Sequence, residues 1–155
     1  MPIPSLRLHG TLAGVLLMAG GGALAADWAD NSIGYRYGTK FAEPFNTQDI
    51  SKNIVNFQHA SGYKYGTNFL NVDLLMSDSK DDNAQEAYVT YRHTLDIGKI
   101  SGRDLSFGPA RGVGLTLGFD WNTKNDNSYA SKKRMWVVGP TLMMDCLLYT
   151  SDAAD

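Results

Sequence analysis

The sequence predicts an all-β chain: an antiparallel transmembrane β-barrel of which about six strands are present. Three observations carry that expectation. Apolar and polar residues alternate with period two along several segments. The polar faces carry Gly, Thr, Asn and isolated charges, where a water-washed surface usually carries Lys and Glu. An export signal precedes the first alternating segment.

That signal occupies residues 1–25. Arg7 with His9 gives a cationic start, Leu12–Ala19 an apolar run, and Ala23-Leu24-Ala25 an A-x-A cleavage site, which puts the cut before Ala26. Thr11–Ala26 holds four glycines in 16 residues, short of the ~20 apolar residues of a membrane helix. The mature chain is thus expected outside the cytoplasm. At the other end, residues 146–155 (Cys146-Leu147-Leu148-Tyr149-Thr150-Ser151-Asp152-Ala153-Ala154-Asp155) resemble the conceptual translation of a transposon-end adapter used in sequencing libraries. They are expected not to be native, which removes the single Cys from any argument. Residues 26–145 remain as the barrel segment, with 13 Lys+Arg and 14 Asp+Glu.

Six strands are expected within it. In Ser32–Gly38, Ile33, Tyr35 and Tyr37 oppose Gly34, Arg36 and Gly38. Asn53–Ala60 is less regular, with Val55 and Phe57 against Ile54, Asn56 and Gln58. In Asn68–Met76, Leu70, Val72, Leu74 and Met76 oppose Phe69, Asn71, Asp73 and Leu75. Glu86–Leu95 sets Ala87, Val89, Tyr91 and His93 against Glu86, Tyr88, Thr90 and Arg92. Gly112–Asn122 is the clearest, with Val113, Leu115, Leu117, Phe119 and Trp121 on one side and Gly114, Thr116, Gly118, Asp120 and Asn122 on the other. Arg134–Asp145 is apolar on both faces and has no readable orientation. Thr39–Lys52, Ser77–Gln85 and Thr123–Lys133 are expected as long connections, Ser61–Gly66 as a short one, and Asp96–Arg111 is long where a short turn fits the pattern. Gly34–Thr39 and Gly62–Thr67 repeat a Gly-Tyr-basic-Tyr-Gly-Thr sequence, compatible with either a duplicated hairpin or chance.

Composition excludes several classes. Near-neutral charge without a basic stripe argues against nucleic acid. The Asp78, Asp81 and Asp82 run lacks EF-hand spacing, so no metal or cofactor is expected. Lys132-Lys133-Arg134 fits lipid phosphates or an ordinary charged strand end equally well.

Alternation alone suits a soluble sandwich or a membrane barrel, and the character of the faces favours the barrel. Tyr35, Tyr37, Tyr91, Phe119 and Trp121 lie on the apolar faces as an aromatic girdle would. An Arg or Lys at the bilayer midplane costs ~2–4 kcal/mol, so Arg36, Asp73, Arg92 and Asp120 are expected to point inward. Closed barrels start at about eight strands, and open edges in lipid leave unpaired backbone groups. Six strands therefore read as part of a larger barrel.

Asp27–Gly38, Phe41-Ala42-Glu43-Pro44-Phe45, Asn71–Asp78 and Gly118-Phe119-Asp120-Trp121-Asn122-Thr123-Lys124 resemble the Tsx-like nucleoside-specific channel-forming outer-membrane proteins, in the branch often labelled outer envelope protein. The resemblance implies a monomeric twelve-stranded barrel in the Gram-negative outer membrane, passively admitting nucleosides. Its partners would be outer-membrane lipid and the nucleoside itself. A pore selective for nucleosides needs aromatic faces for the base, worth ~1–3 kcal/mol per stack, and polar groups for the ribose. Phe69 and Tyr88 are the inward platforms. Arg36, Asp73, Glu86, Arg92 and Asp120 are the polar partners, each of which could instead stiffen the wall as a salt bridge. The alternatives are a general porin or structural envelope protein, and a soluble exported β-sandwich that binds a ligand. Enzymatic activity is not expected: a hydrolase would need Ser, His and a carboxylate in register, and His59 and His93 read as interface residues.

Overall fold

The computed structural model describes residues 26–126 and 129–144. The signal segment, residues 146–155 and Asp145 lie outside the described residues. Six strands form one antiparallel sheet in sequence order: β1 (Trp28–Glu43), β2 (Asn46–Tyr63), β3 (Gly66–Ser77), β4 (Gln85–Asp96), β5 (Ala110–Lys124) and β6 (Arg134–Met144). One short helix, α1 (Ile97–Ser101), and a 3-10 turn at Ser79–Asp81 complete the regular structure. The all-β, antiparallel expectation holds. The sheet is open, with β1 and β6 as its edges. Among the described residues no second layer covers either face.

The strands are longer than their alternating cores. Thr39–Lys52 was expected as a long loop, yet it is a continuation of the β1–β2 hairpin, closed by Pro44 and Phe45 alone. Two register shifts, at Gly38/Phe41 and Phe41/Glu43, carry the pairing upward. They also break strict alternation, which is why the sequence pattern fades there. Pro44 presets the first corner of the turn, and Phe45 takes the left-handed conformation (φ 64°) that the second corner requires. The Asp96–Arg111 connection contains α1, capped at its start by Asp96, which accepts from the Lys99 N–H, and closed by Gly102 at φ 66°. The two copies of the Gly-Tyr repeat do not share a structure. One lies inside β1, and the other crosses the β2–β3 turn.

Register fixes the faces. Asn31, His59, Leu70, Tyr91, Phe119 and Trp136 form one cross-strand row, and Ile33, Phe57, Val72, Val89, Trp121 and Arg134 the next. Directly opposed residues share a face, so β6 acquires the orientation its sequence lacked. Trp136, Val138 and Leu142 join the apolar face, and Met135, Val137 and Met143 the polar one.

The apolar face carries an oblique band. Its upper limit runs from Tyr37, opposite Asn53, to Trp136, whose row meets β2 at His59, six residues further along. Its lower limit runs from Ile33, whose row meets β5 at Trp121, to Leu142, opposite Val113, eight residues further along. Over five strand steps, with ~3.4 Å per residue and ~4.8 Å between strands, the band is inclined to the hydrogen-bonded rows by roughly 40–50°.

Pro140 lies in β6 opposite Leu115. The Asn122 N–H donates to the Lys133 carbonyl and the Lys124 N–H to the Ser131 carbonyl. Bonded pairs alternate along an antiparallel ladder, so even-numbered β5 residues exchange bonds with β6 and Leu115 does not. The position of Pro140's missing N–H therefore faces away from β5.

Candidate functional site

The polar face is the chemically loaded one. All seven candidate residues, Arg36, Phe69, Asp73, Glu86, Tyr88, Arg92 and Asp120, fall on it by register. Burial runs opposite to that of a soluble sheet. Ile33 and Trp136 on the apolar face are 81 % and 83 % exposed, whereas Lys52 and Lys124 on the polar face are each 2 % exposed.

Three polar groupings succeed one another along this face. The uppermost gathers the ends of several elements. Lys124 Nζ lies 3.0 Å from Asp81, 3.1 Å from Asp126 and 3.3 Å from Glu43. Glu43 also pairs with Lys52, which approaches Glu86 at 3.9 Å. Asp81 further accepts from the Ser77 hydroxyl at 2.7 Å. The β3–β4 and β5–β6 connections and the top of β1 are thereby tied to two lysines.

In the middle, Arg36 pairs with Asp73 at 2.7 Å. Asn56 donates to both Asn71 and Asp73 at 2.8 Å, and Asn71 donates to Asp73 at 3.0 Å. Asp73 is therefore held by three strands. Glu86 accepts from Asn122 Nδ2, while Asn122 Oδ1 is buried without a hydrogen-bond partner in the described structure.

Lower down, the Arg92 guanidinium lies 2.8 Å from Asp120 Oδ1, an ion pair without hydrogen-bond alignment. It also donates to the Tyr91 and Phe119 carbonyls. Gly118, directly opposite Arg92, makes this reach possible: a Cβ there would come within 2.9 Å of Arg92 Cδ. Below it Thr94, Thr116 and Thr141 form a hydroxyl ladder across β4, β5 and β6.

The structure divides the seven residues into two sets. Tyr88 lies opposite Asp73, which carries Arg36, and Phe69 lies opposite Arg92, which carries Asp120. The two aromatic residues are four rows apart, ~14 Å at 3.4 Å per residue, too far to clamp a single ring. Glu86 stands apart, divided between Lys52 and Asn122. The sequence reading missed Glu43, Lys52, Asp81 and Lys124, which it had placed in connections. The usable signal was parity: Lys52 continues the inward series Ile54 and Asn56, and Lys124 the series Asp120 and Asn122.

Among the described residues no cluster of His, Cys, Asp and Glu could hold a metal ion, and no helix is long and apolar enough to cross a membrane. In the β3–β4 connection Asp78 does structural work. It accepts from the Ser51 N–H at 3.1 Å and from the Lys80 N–H at 3.1 Å. Desolvation raises its pKa, but those backbone donors and the Lys80 charge outweigh it and hold the carboxyl below its ordinary value of 3.8. Its contribution to the loop is complete above pH ~4 and is lost only as pH falls through the lowered value. Limited proteolysis should find this connection equally protected at pH 7 and pH 5, and cut faster only once the pH has fallen below the ordinary carboxyl value of 3.8.

The chain matches no protein-family profile, no curated protein and no solved structure in the comparisons made.

Proposed function

We propose that this sheet is part of the wall of an outer-membrane β-barrel channel that admits nucleosides or similar small polar solutes by passive diffusion. The observation that carries the reading is the inversion of the two faces. Exposed Ile33, Tyr35, Val138 and Trp136 gain nothing in water, while buried Lys52, Lys124 and Asp120 form ion pairs on the other side. Hydrocarbon outside and a polar lumen inside remove both anomalies. The obliquity of the apolar band adds support: a flat membrane slab crossing strands inclined by ~35–45° leaves such a trace. Free edges at β1 and β6 leave backbone groups unpaired, which hydrocarbon does not tolerate, so the wall requires further strands.

For the solute, the two aromatic–ionic sets along the lumen provide successive weak stations. Each offers a ring face and a charged or amide partner, suited to a base and a ribose, and their separation favours passing a solute between them over trapping it. Liposomes reconstituted with the complete barrel should swell in isotonic nucleoside faster than in a disaccharide of similar size. Equal rates would leave a general pore, and no swelling would end the channel reading.

Arg36 separates the structural from the permeation role. Its side chain is 61 % exposed, so the pair with Asp73 is worth only ~0–1 kcal/mol after solvent screening. Arg36→Ala should leave the unfolding midpoint nearly unchanged and alter nucleoside flux several-fold in the swelling assay.

A further inference from the structure

A hydrogen-bonded polar chain crosses the apolar face at the lower border of the band on β1 to β4. We propose that Asn31, His59 and Ser61 within it form a nucleophilic triad that cleaves carboxylic esters, with lipid acyl esters as the substrate class. His59 and Ser61 are two apart on β2 and so share a face. His59 Nε2 lies 3.2 Å from Ser61 Oγ, and His59 Nδ1 lies 2.8 Å from Asn31 Oδ1. Asn31 is the direct cross-strand partner of His59. Nucleophile, base and orienting group thus stand in the relation that nucleophilic catalysis requires.

The neighbours orient the Asn68 amide. Tyr91 OH donates to Asn68 Oδ1 at 2.9 Å, and His93 Nδ1 lies 2.6 Å from the same oxygen. With Oδ1 so occupied, Asn68 turns Nδ2 towards Ser61 Oγ, at 3.4 Å. His93 Nε2 accepts from Tyr63 OH at 3.2 Å. Asn31 Oδ1, an acceptor, pairs with His59 Nδ1–H, and in that tautomer Nε2 carries no hydrogen and faces the serine as a general base. Asn68 Nδ2 is the donor available to a developing oxyanion. Ser61 is 7 % exposed, which keeps bulk water from the nucleophile. A search for a Ser, His and carboxylate passes over this arrangement, because its orienting group is an amide 28 residues upstream of the histidine.

In the acylation step His59 Nε2 takes the Ser61 hydroxyl proton as Oγ bonds to the ester carbonyl carbon. The ester C–O bond then breaks and the alcohol leaves with the proton from His59. Water attacks the acyl-serine and gives one proton to His59; the Oγ–acyl bond breaks as His59 returns that proton to Ser61 Oγ, and the product leaves as the carboxylic acid, which then loses its remaining proton to solvent. The lipid assignment rests on the channel reading, which puts hydrocarbon against Phe57 and Leu70 beside the site and ester groups at the border of the band; the triad does not rest on it.

The test uses the purified protein in detergent micelles, a fluorophosphonate probe with the label located by mass spectrometry, and two esters: water-soluble p-nitrophenyl butyrate and a diacyl phosphatidylethanolamine. The expected result is label on Ser61 and hydrolysis of both esters. Ser61→Ala and His59→Ala should each lose about a hundredfold or more. Asn31→Ala should lose activity and Asn31→Asp retain it, a rescue that a purely structural belt would not show. Absence of both label and hydrolysis in the unmodified protein overturns the triad, whatever the variants do. Hydrolysis of the soluble ester alone overturns the lipid assignment, and does so independently of any swelling result.

Discussion

Replacing Lys124 with Ala should destabilise the fold by about 3–5 kcal/mol, the cost of leaving buried carboxylates without their counter-charge. The Nζ group is the shared partner of Asp81, Asp126 and Glu43, and Asp81 is itself 3 % exposed. Among the described residues, removing the cation leaves Asp81 with the Ser77 hydroxyl alone to offset its charge. The loss should be read as a lowered unfolding midpoint by circular dichroism in detergent. Lys124→Ala combined with Asp81→Asn should recover a good part of it, because the second change removes the stranded charge. An unaltered midpoint in the single variant would mean that the upper cluster contributes nothing to holding the connections.

The second large effect discriminates between environments. Leu117 sits on the apolar face of the interior strand β5, near the middle of the oblique band, and is 39 % exposed. Leu117→Arg should cost ~2–4 kcal/mol if that face meets the bilayer midplane, but within about half a kcal/mol if it meets water. Urea unfolding from lipid vesicles measures the difference. A neutral result would favour the soluble alternative and remove the basis for a lipid-facing wall. The two substitutions probe opposite faces of β5 and lie seven residues apart on it, ~24 Å at 3.4 Å per residue, so their effects should add.

Legibility followed the physics of alternation. Where one face is apolar and the other is not, as in Gly112–Asn122 and Asn68–Met76, period two identified both the strand and its facing, and the register agrees residue by residue. β6 could not be oriented because Met135, Val137 and Met143 are as apolar as Trp136 and Val138; only pairing with β5 decides between them. The β1–β2 extension was invisible because bulges at Gly38/Phe41 and Phe41/Glu43 erase the period, and a Pro in the turn reads as a loop. The candidate site was legible one residue at a time through parity, whereas its partners were not. That Asp73 is gripped by Arg36, Asn56 and Asn71, or that Lys124 joins three segments, depends on strand register and on how far each side chain reaches. Neither quantity is written in a one-dimensional pattern.

Pro140 has one further consequence. A strand adding beyond β6 would find a carbonyl with no hydrogen to receive, so the zipper along that seam must skip a tooth halfway down. If the sheet is the channel wall proposed above and that wall is ever to part, or to let a lipid or a neighbouring chain wedge in sideways, the cheapest place to begin is beside that ring.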